Sequence, residues 1–335
     1  MGNYHIALIC DNKYILPTKV TIISLICNCS TLCGDAIHII VFSFNISDEN
    51  KMSMERLSTH NVKIEVRKLC ITDYQDKFSL IKQHTHVTPT SLIKFDLPYL
   101  CSDVSTLLYI DSDIIIKNDI IPLFKIDLSE YHLAASFELW SYLSKNTSSN
   151  NRVDDITFYF NSGVLLLNLD KMRNDNIPSK LWNKKYELLN NPEKKRMDQD
   201  SFNEVCQNST LPLPIIYNFN VAFYNEKYIN AINLIYNTNY KSLPALLEDV
   251  CILHYVGKED KPWVYESSNL CGIWDYYYLK LGNNLDLLNR IRVSKPLRYV
   301  HILKSAYDDK GSYQFAKYII YKLYYKIIEK WRKNV

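Results

Sequence analysis

The chain opens by alternating short apolar runs with stretches of helical length, and that alternation limits what it can fold into. His5-Ile6-Ala7-Leu8-Ile9-Cys10 is a strand-length run that stops at Asp11-Asn12, and Lys19 to Cys27 then has the length and apolar content of a helix. Ile39-Ile40-Val41-Phe42 reads as a second buried strand and Asp48 to His60 as a polar helix. Val62-Lys63-Ile64-Glu65-Val66 alternates, as a strand nearer a sheet edge does. Thr88 to Leu100, with Pro89 near its start, reads as a helix, and Ser105 to Ile110 as another buried strand. Two more strands are expected near 133–136 and 164–167, with a polar, mobile loop from Ser144 to Asp155. This order predicts an α/β fold, with a mainly parallel sheet covered by helices on both faces. The 335 residues leave room for one large domain and an appendage. No run of about 18 apolar residues exists, so no spanning helix is expected. Met1-Gly2-Asn3-Tyr4-His5-Ile6 matches neither an export signal nor a myristoylation signal.

Glycine is scarce, and its positions exclude two nucleotide-binding devices. The seven glycines stand at 2, 34, 163, 257, 272, 282 and 311, so neither GxGxxG nor a P-loop can be formed. Nine cysteines, an odd number without an export signal, read as reduced thiols of a cytosolic protein. Cys27, Cys29 and Cys33 cluster, but no fourth ligand stands at zinc spacing. The net charge of +3 is uneven. From Lys304 onward there are eight basic and three acidic residues, a net +5, which leaves −2 for the rest and points to an acidic partner for the tail.

Leu108-Tyr109-Ile110-Asp111-Ser112-Asp113 is the sharpest local feature. Two carboxylates two residues apart at the end of a strand project to one side, about 6.6 Å apart. Hard oxygens so placed suit Mg²⁺ or Mn²⁺, at the sheet edge where α/β proteins bind ligands. Taken alone, the same spacing also fits a solvated strand end. Three more segments stand beside it: Phe158-Tyr159-Phe160-Asn161-Ser162-Gly163-Val164-Leu165-Leu166-Leu167-Asn168-Leu169, Met197-Asp198-Gln199-Asp200, and Leu253-His254-Tyr255-Val256-Gly257 followed by Lys261-Pro262-Trp263. Singly, a His after an apolar pair also fits a satisfied core His, and an acidic helix start also fits a cap.

In this order, over roughly residues 4–265, the segments resemble glycosyltransferase family 8. The likeness is strongest to bacterial lipooligosaccharide α-galactosyltransferases and lipopolysaccharide core hexosyltransferases. The resemblance implies a GT-A fold over residues 1–270 and retaining transfer of galactose or glucose from a UDP-sugar, with Mn²⁺ or Mg²⁺. It implies Asp111, Asp113 and His254 as metal ligands. Lys261, or Lys258, would contact the diphosphate; the family has two residues between this Gly257 and the Lys, and here there are three. Ile9, Cys10, Asp11 and Tyr14 would hold the nucleoside, and Ser112, Asn161 and Gly257 would lie along the donor. Lys94 stands where the family has Arg, and Lys13 where it often has Asn. Asp198 and Gln199 would surround the sugar, with Asp200 the nearest alternative carboxylate. Gln199 is an amide and a poor nucleophile, which favours same-face attack with the departing phosphate as base. Glu138 and His86 would lie on the acceptor side.

From residue 271 to 335 the chain turns basic and aromatic. Lys322, Lys326 and Lys330 recur four apart, while Phe315, Ile319, Leu323, Ile327 and Trp331 form another stripe. With Lys317, Arg332 and Lys333 this reads as an interfacial membrane anchor or, alternatively, as a helix packed on the body. No nucleic-acid motif accompanies it. The expected protein is cytoplasmic, peripheral on the inner membrane face, and acts on lipooligosaccharide, lipopolysaccharide core or capsule. The rival readings are a transferase acting on a glycosylated protein or a self-glucosylating primer, and an inactive UDP-sugar-binding scaffold.

Overall fold

The computed structural model describes residues 3–30, 35–82, 89–145, 158–189, 198–257 and 260–292. His86, Lys258, most of the 144–155 loop and residues 293–335 of the basic C-terminal region lie outside the described residues.

The strands are β1 (Asn3–Ile9), β2 (Ala36–Ser43), β3 (Val62–Lys68), β4 (Thr106–Ile110), β5 (Ile114–Ile116), β6 (Leu133–Phe137), β7 (Phe160–Asn168), β8 (Thr210–Leu213), β9 (Phe219–Asn220) and β10 (Ile252–His254). Seven form one sheet in the order β3-β2-β1-β4-β7-β6-β8, and three form a second in the order β5-β10-β9. The large sheet is mostly parallel, as the alternation predicts. One strand departs: β7 runs antiparallel to both of its neighbours, β4 and β6.

Successive residues of the central strands bury on opposite faces. Ile6, Leu8, Leu108 and Ile110 enter one core with Ile22 and Leu25 of the helix Ile15–Asn28. Ala7, Leu107, Tyr109 and Leu165 enter the other, under the helices Gln75–Lys82, Ile177–Leu188 and Gln199–Cys206. Both faces are dry, so these strands read as continuous apolar runs. Each fully buried Leu or Ile contributes about 1.5–3 kcal/mol. A third core lies under the small sheet, where the helix Cys271–Lys280 supplies Trp274, Tyr277 and Tyr278.

Two expected helices differ. The polar helix ends early, at Glu55, after Ser47 caps it by accepting from Asn50 N at 3.2 Å. The 88–100 stretch is a 3-10 helix over Pro89–Asp96 and then one α-turn, Leu97–Leu100. Pro98 has no N–H to bond back to the Lys94 carbonyl, so a regular α-ladder cannot run through.

Candidate active site

β1 and β4 are parallel and finish at one edge of the sheet, so Asp11 and Asp111 emerge there together. Since β7 enters at that edge, its first residues lie against the end of β4. Ile110 pairs with Val164, and Asp111 N donates to Gly163 O at 2.8 Å. Asp111 follows the end of β4 as the sequence predicts, but Asp111-Ser112-Asp113 is a turn into β5 and not extended strand, so the period-2 spacing of the two carboxylates does not apply. Within β5, Ile114 pairs with His254 of β10, and Tyr255 N donates to Asp113 O at 3.0 Å. The junction of the two sheets thereby gathers Asp111, Asp113 and His254, whose ligand atoms all lie within 4.8 Å of one another. No other such group of three occurs among the described residues.

Backbone donors fix the polarity of this corner. Gly163 N–H donates to Asn161 Oδ1 at 2.9 Å, so the Asn161 amide group points the other way, to Gln199 Oε1 at 3.1 Å. Asn218 Nδ2 also donates to Asn161 Oδ1, at 2.9 Å. Asn218 Oδ1 is therefore the atom facing His254 Nδ1, at 2.9 Å, and accepts the hydrogen bond of its N–H. The bare lone pair of His254 Nε2 then faces Asp113 Oδ1 at 3.2 Å and Asp111 Oδ2 at 3.7 Å. Asp113 Oδ1 is buried and accepts no hydrogen bond. Three lone-pair donors converging in a half-buried corner repel one another unless a cation lies between them. Two carboxylates and a neutral imidazole with an oriented outer nitrogen are a donor set that suits a divalent metal. Gly163 keeps the space open: a Cβ there would stand 2.2 Å from His254 Cε1 and 2.7 Å from Asp111 Oδ2.

Two lysines balance the carboxylates. Lys94 is buried, with Nζ 2.7 Å from Asp198 Oδ2 and 3.5 Å from Asp111 Oδ1. Burial works against its charge, but Asp111 and Asp198 outweigh it and raise its pKa. Lys261 Nζ bonds Asp113 Oδ2, donates to Tyr255 O at 2.6 Å, and lies over the Trp263 ring. Its pKa rises too, as Asp113 outweighs the effect of burial. Burial alone would raise the Asp113 carboxyl, yet the Lys261 ammonium holds it well below the usual range. Tyr109, kept neutral chiefly by burial, donates to Asp111 Oδ1 at 2.5 Å.

The other expected residues divide into those at the corner and those used elsewhere. Ser162 Oγ donates to Asp198 Oδ2 at 2.6 Å. Gln199 Oε1 also accepts from Ser162 N at 3.3 Å, while Gln199 Nε2 is buried without a partner. Asp200 accepts from Tyr159 OH at 2.5 Å. Ser112 Oγ donates to Ile9 O at 2.9 Å, and Cys10 N donates to Phe42 O at 3.1 Å. Those groups of the nucleoside-side residues are thus engaged within the protein. Asp11 caps the turn Asn12–Tyr14, accepting from Lys13 N at 2.9 Å and Tyr14 N at 3.2 Å. Tyr14 is half-exposed and meets Trp263 edge-on. Gly257, at φ 90°, makes the left-handed turn after β10. Glu138 accepts from Ser141 N at 3.0 Å and Ser141 Oγ at 2.8 Å, capping the helix Leu139–Lys145. It also lines a small pocket with Asn161, Asn218 and Phe223. The sequence reading missed Asn218, which no motif marks, and the steric role of Gly163.

This corner and this fold define a class. The chain belongs to glycosyl transferase family 8, whose model matches residues 5–267. It is 29% identical to a lipopolysaccharide 1,2-glucosyltransferase of Escherichia coli K12, over 66% of this chain and 63% of that protein. It is 24% identical to general stress protein A of Bacillus subtilis, over 77% of this chain and 87% of that protein. Among solved structures, the galactosyltransferase LgtC in complex with donor and acceptor sugar analogs superposes with a TM-score of 0.62. That match has 21% identity and covers 88% of this chain and 99% of LgtC. At that identity the likeness speaks for the GT-A fold alone.

Proposed function

We propose that this chain is a retaining, Mn²⁺-dependent hexosyltransferase that moves galactose or glucose from a UDP-sugar to a glycan. The observation that carries the reading is the bare His254 Nε2 facing two carboxylates, one with an orphaned buried oxygen. Asp111, Asp113 and His254 would hold the metal, which supplies Lewis-acid stabilisation of the leaving diphosphate. Lys261 stands beside Asp113 with a charge suited to the same phosphates. Asp198, held by Ser162 and Lys94, offers its remaining oxygen to sugar hydroxyls.

Gln199 bears on the stereochemistry. Its carbonyl oxygen is spent on Asn161 and Ser162, and its free atom is an N–H donor. A group so used positions the sugar and is no nucleophile. This supports same-face attack. The acceptor oxygen bonds to the anomeric carbon as the bond to the phosphate oxygen breaks. The electron pair leaves with UDP, and the hydroxyl proton passes to the departing phosphate.

The acceptor in this reading is lipid-linked: lipooligosaccharide, lipopolysaccharide core or capsule. The basic side chains Lys317, Lys322, Lys326, Lys330, Arg332 and Lys333 would hold the enzyme at an anionic membrane surface on its cytoplasmic side. Among the described residues no helix is long and apolar enough to cross a membrane. The test is thermal shift with UDP-galactose, UDP-glucose and UDP-N-acetylglucosamine, each with and without Mn²⁺. A ligand at 100 times its Kd stabilises by about 2.7 kcal/mol. A manganese-dependent shift with one hexose donor is expected, and no shift with any donor would overturn the reading.

A further inference from the structure

The oxygens of the two corner carboxylates are divided between two tasks. Asp113 Oδ1 and Asp111 Oδ2 face His254 Nε2, at 3.2 and 3.7 Å. The other oxygen of each is held by the protein. Asp111 Oδ1 accepts from Tyr109 OH at 2.5 Å and from Lys94 Nζ at 3.5 Å, and Asp113 Oδ2 is bonded by Lys261 Nζ. The two lysines are not held alike. Lys94 has three oxygen partners, since Asp198 Oδ2 at 2.7 Å and Ser162 O at 3.2 Å join Asp111. Lys261 has two among the described residues, Asp113 Oδ2 and Tyr255 O at 2.6 Å, and it follows β10 in a stretch outside both sheets.

Lys261 also stands on a line of contacts. Its Nζ lies 5.4 Å from the centre of the Trp263 ring, and Trp263 meets Tyr14 edge-on at 5.9 Å. Tyr14 is 37% exposed and lies on the nucleoside side of the transferase reading. From the nucleoside side to the corner the order is Tyr14, Trp263, Lys261, Asp113. A diphosphate joining a nucleoside at Tyr14 to a cation at Asp113 passes the ammonium. An ammonium on one oxygen of a carboxylate opposes a cation on the other, because two positive charges share one negative charge. Lysine is a compact charge on a flexible stem, so it can exchange a carboxylate for a phosphate without moving its backbone.

From this geometry we propose that Lys261 is a switch between the metal and the diphosphate. On Asp113 it holds the cation affinity of the corner down; on the phosphates it releases that carboxylate. The proposal rests on the transferase reading above and gives it an order of loading. Mn²⁺ binds weakly by itself and tightly with the nucleoside diphosphate, and by linkage the ion raises diphosphate affinity by the same factor. Phosphate oxygens that ligate the ion also couple the two, but that part of the coupling does not need Lys261.

The test measures Mn²⁺ affinity by electron paramagnetic resonance, with no nucleotide and at saturating UDP. The proteins are the full chain, Lys261→Gln and Lys261→Met. Gln keeps a hydrogen-bond donor for Asp113 and removes the charge; Met removes both. Two effects of opposite sign are expected. Without UDP the neutral variants should bind Mn²⁺ at least about fivefold tighter than the parent, and with UDP at least about fivefold weaker. A lysine with a merely structural role would not tighten the corner when removed. Unchanged or weaker Mn²⁺ binding without UDP in Lys261→Gln would overturn the proposal. So would Mn²⁺ binding with UDP as tight as in the parent or tighter, which would leave Lys261 on Asp113 throughout. Melting curves check that each variant folds, and Lys261→Gln decides if Lys261→Met does not. A parent chain whose Mn²⁺ affinity ignores UDP would sink the transferase reading and this proposal together; effects of one sign in the variants would sink the proposal alone.

Discussion

Two charged clusters in this molecule use the same chemistry to opposite ends. At the outer strand β3, Glu65 bonds Arg67 Nε at 2.7 Å and His38 Nε2 at 3.0 Å. At the corner, Asp111, Asp113 and Asp198 face Lys94 and Lys261. The Glu65 side chain is 31% exposed and the Lys94 side chain 2%. Water already solvates the outer charges, so their pairing adds at most about 1 kcal/mol. Apart from Asp111, whose side chain is 32% exposed, the inner charges are largely shut off from water, so they must be paired, and removing one partner is expensive. Buried carboxylates are a poor route to stability. Their presence here fits retention for a ligand that replaces part of the pairing.

Five substitutions would break or sharpen that contrast. Asp113→Asn should cut turnover at least about 10³-fold, the upper end for losing one electrostatic group at a reacting centre. A loss under tenfold would remove the metal assignment. Lys94→Met should lower stability by about 3–5 kcal/mol in chemical denaturation, because Asp198 and Asp111 lose their buried counter-charge. Gly163→Ala places a methyl group against His254 and should cost about a hundredfold in Mn²⁺ affinity together with about 1–3 kcal/mol of overpacking strain. Mn²⁺ titration by electron paramagnetic resonance would read the first of these effects. Asn218→Ala frees the His254 ring and should weaken Mn²⁺ by about 10–100-fold, with about 1–3 kcal/mol of stability lost to the buried His254 N–H left unbonded.

Glu65→Gln should matter least, by about 1 kcal/mol or less. Its pH dependence has a definite sign. The Arg67 hydrogen bond brings the Glu65 carboxyl from 4.5 down to about 2. The advantage of the parent chain is therefore complete above about pH 4.5 and fades as pH falls toward 2. Urea melts of both proteins across that range would show it, and an advantage that grew on acidification would contradict the assignment.

Much of this could be read in the sequence, and the omissions have physical causes. β1, β2 and β4 stand out because both faces of the sheet are buried there and their apolar runs are unbroken, and β3 because it alternates at the sheet edge. The direction of β7 does not, since hydropathy has no sense of direction along a strand. The sequence reading runs one helix from Thr88 through Pro98 to Leu100 and so misses that the residues before Pro98 tighten to a 3-10 helix. Asp111 and Asp113 are visible as a pair. His254 is 141 positions beyond Asp113, and only the family pattern joins them. Asn218 was illegible because an Asn between a short 3-10 turn and a two-residue strand looks like any loop residue. Its importance arises from Asn161 and His254, neither of which is near it in the chain.

The reversed strand carries one more consequence. The ladder between β4 and β7 runs from Thr106 opposite Asn168 to Ile110 opposite Val164, and the next bond, Asp111 N to Gly163 O, is already part of the site. The sheet thus acts as a ruler for the ligands. Inserting or deleting one residue within β7 would shift the core by one face and exchange Asn161, Ser162 and Gly163 in the same stroke. Length can drift only where the ruler does not reach. The extra residue that the family pattern implies between Gly257 and Lys261 lies outside β4 and β7, so the spacing before Lys261 could change while Asp111, Asp113 and His254 keep theirs.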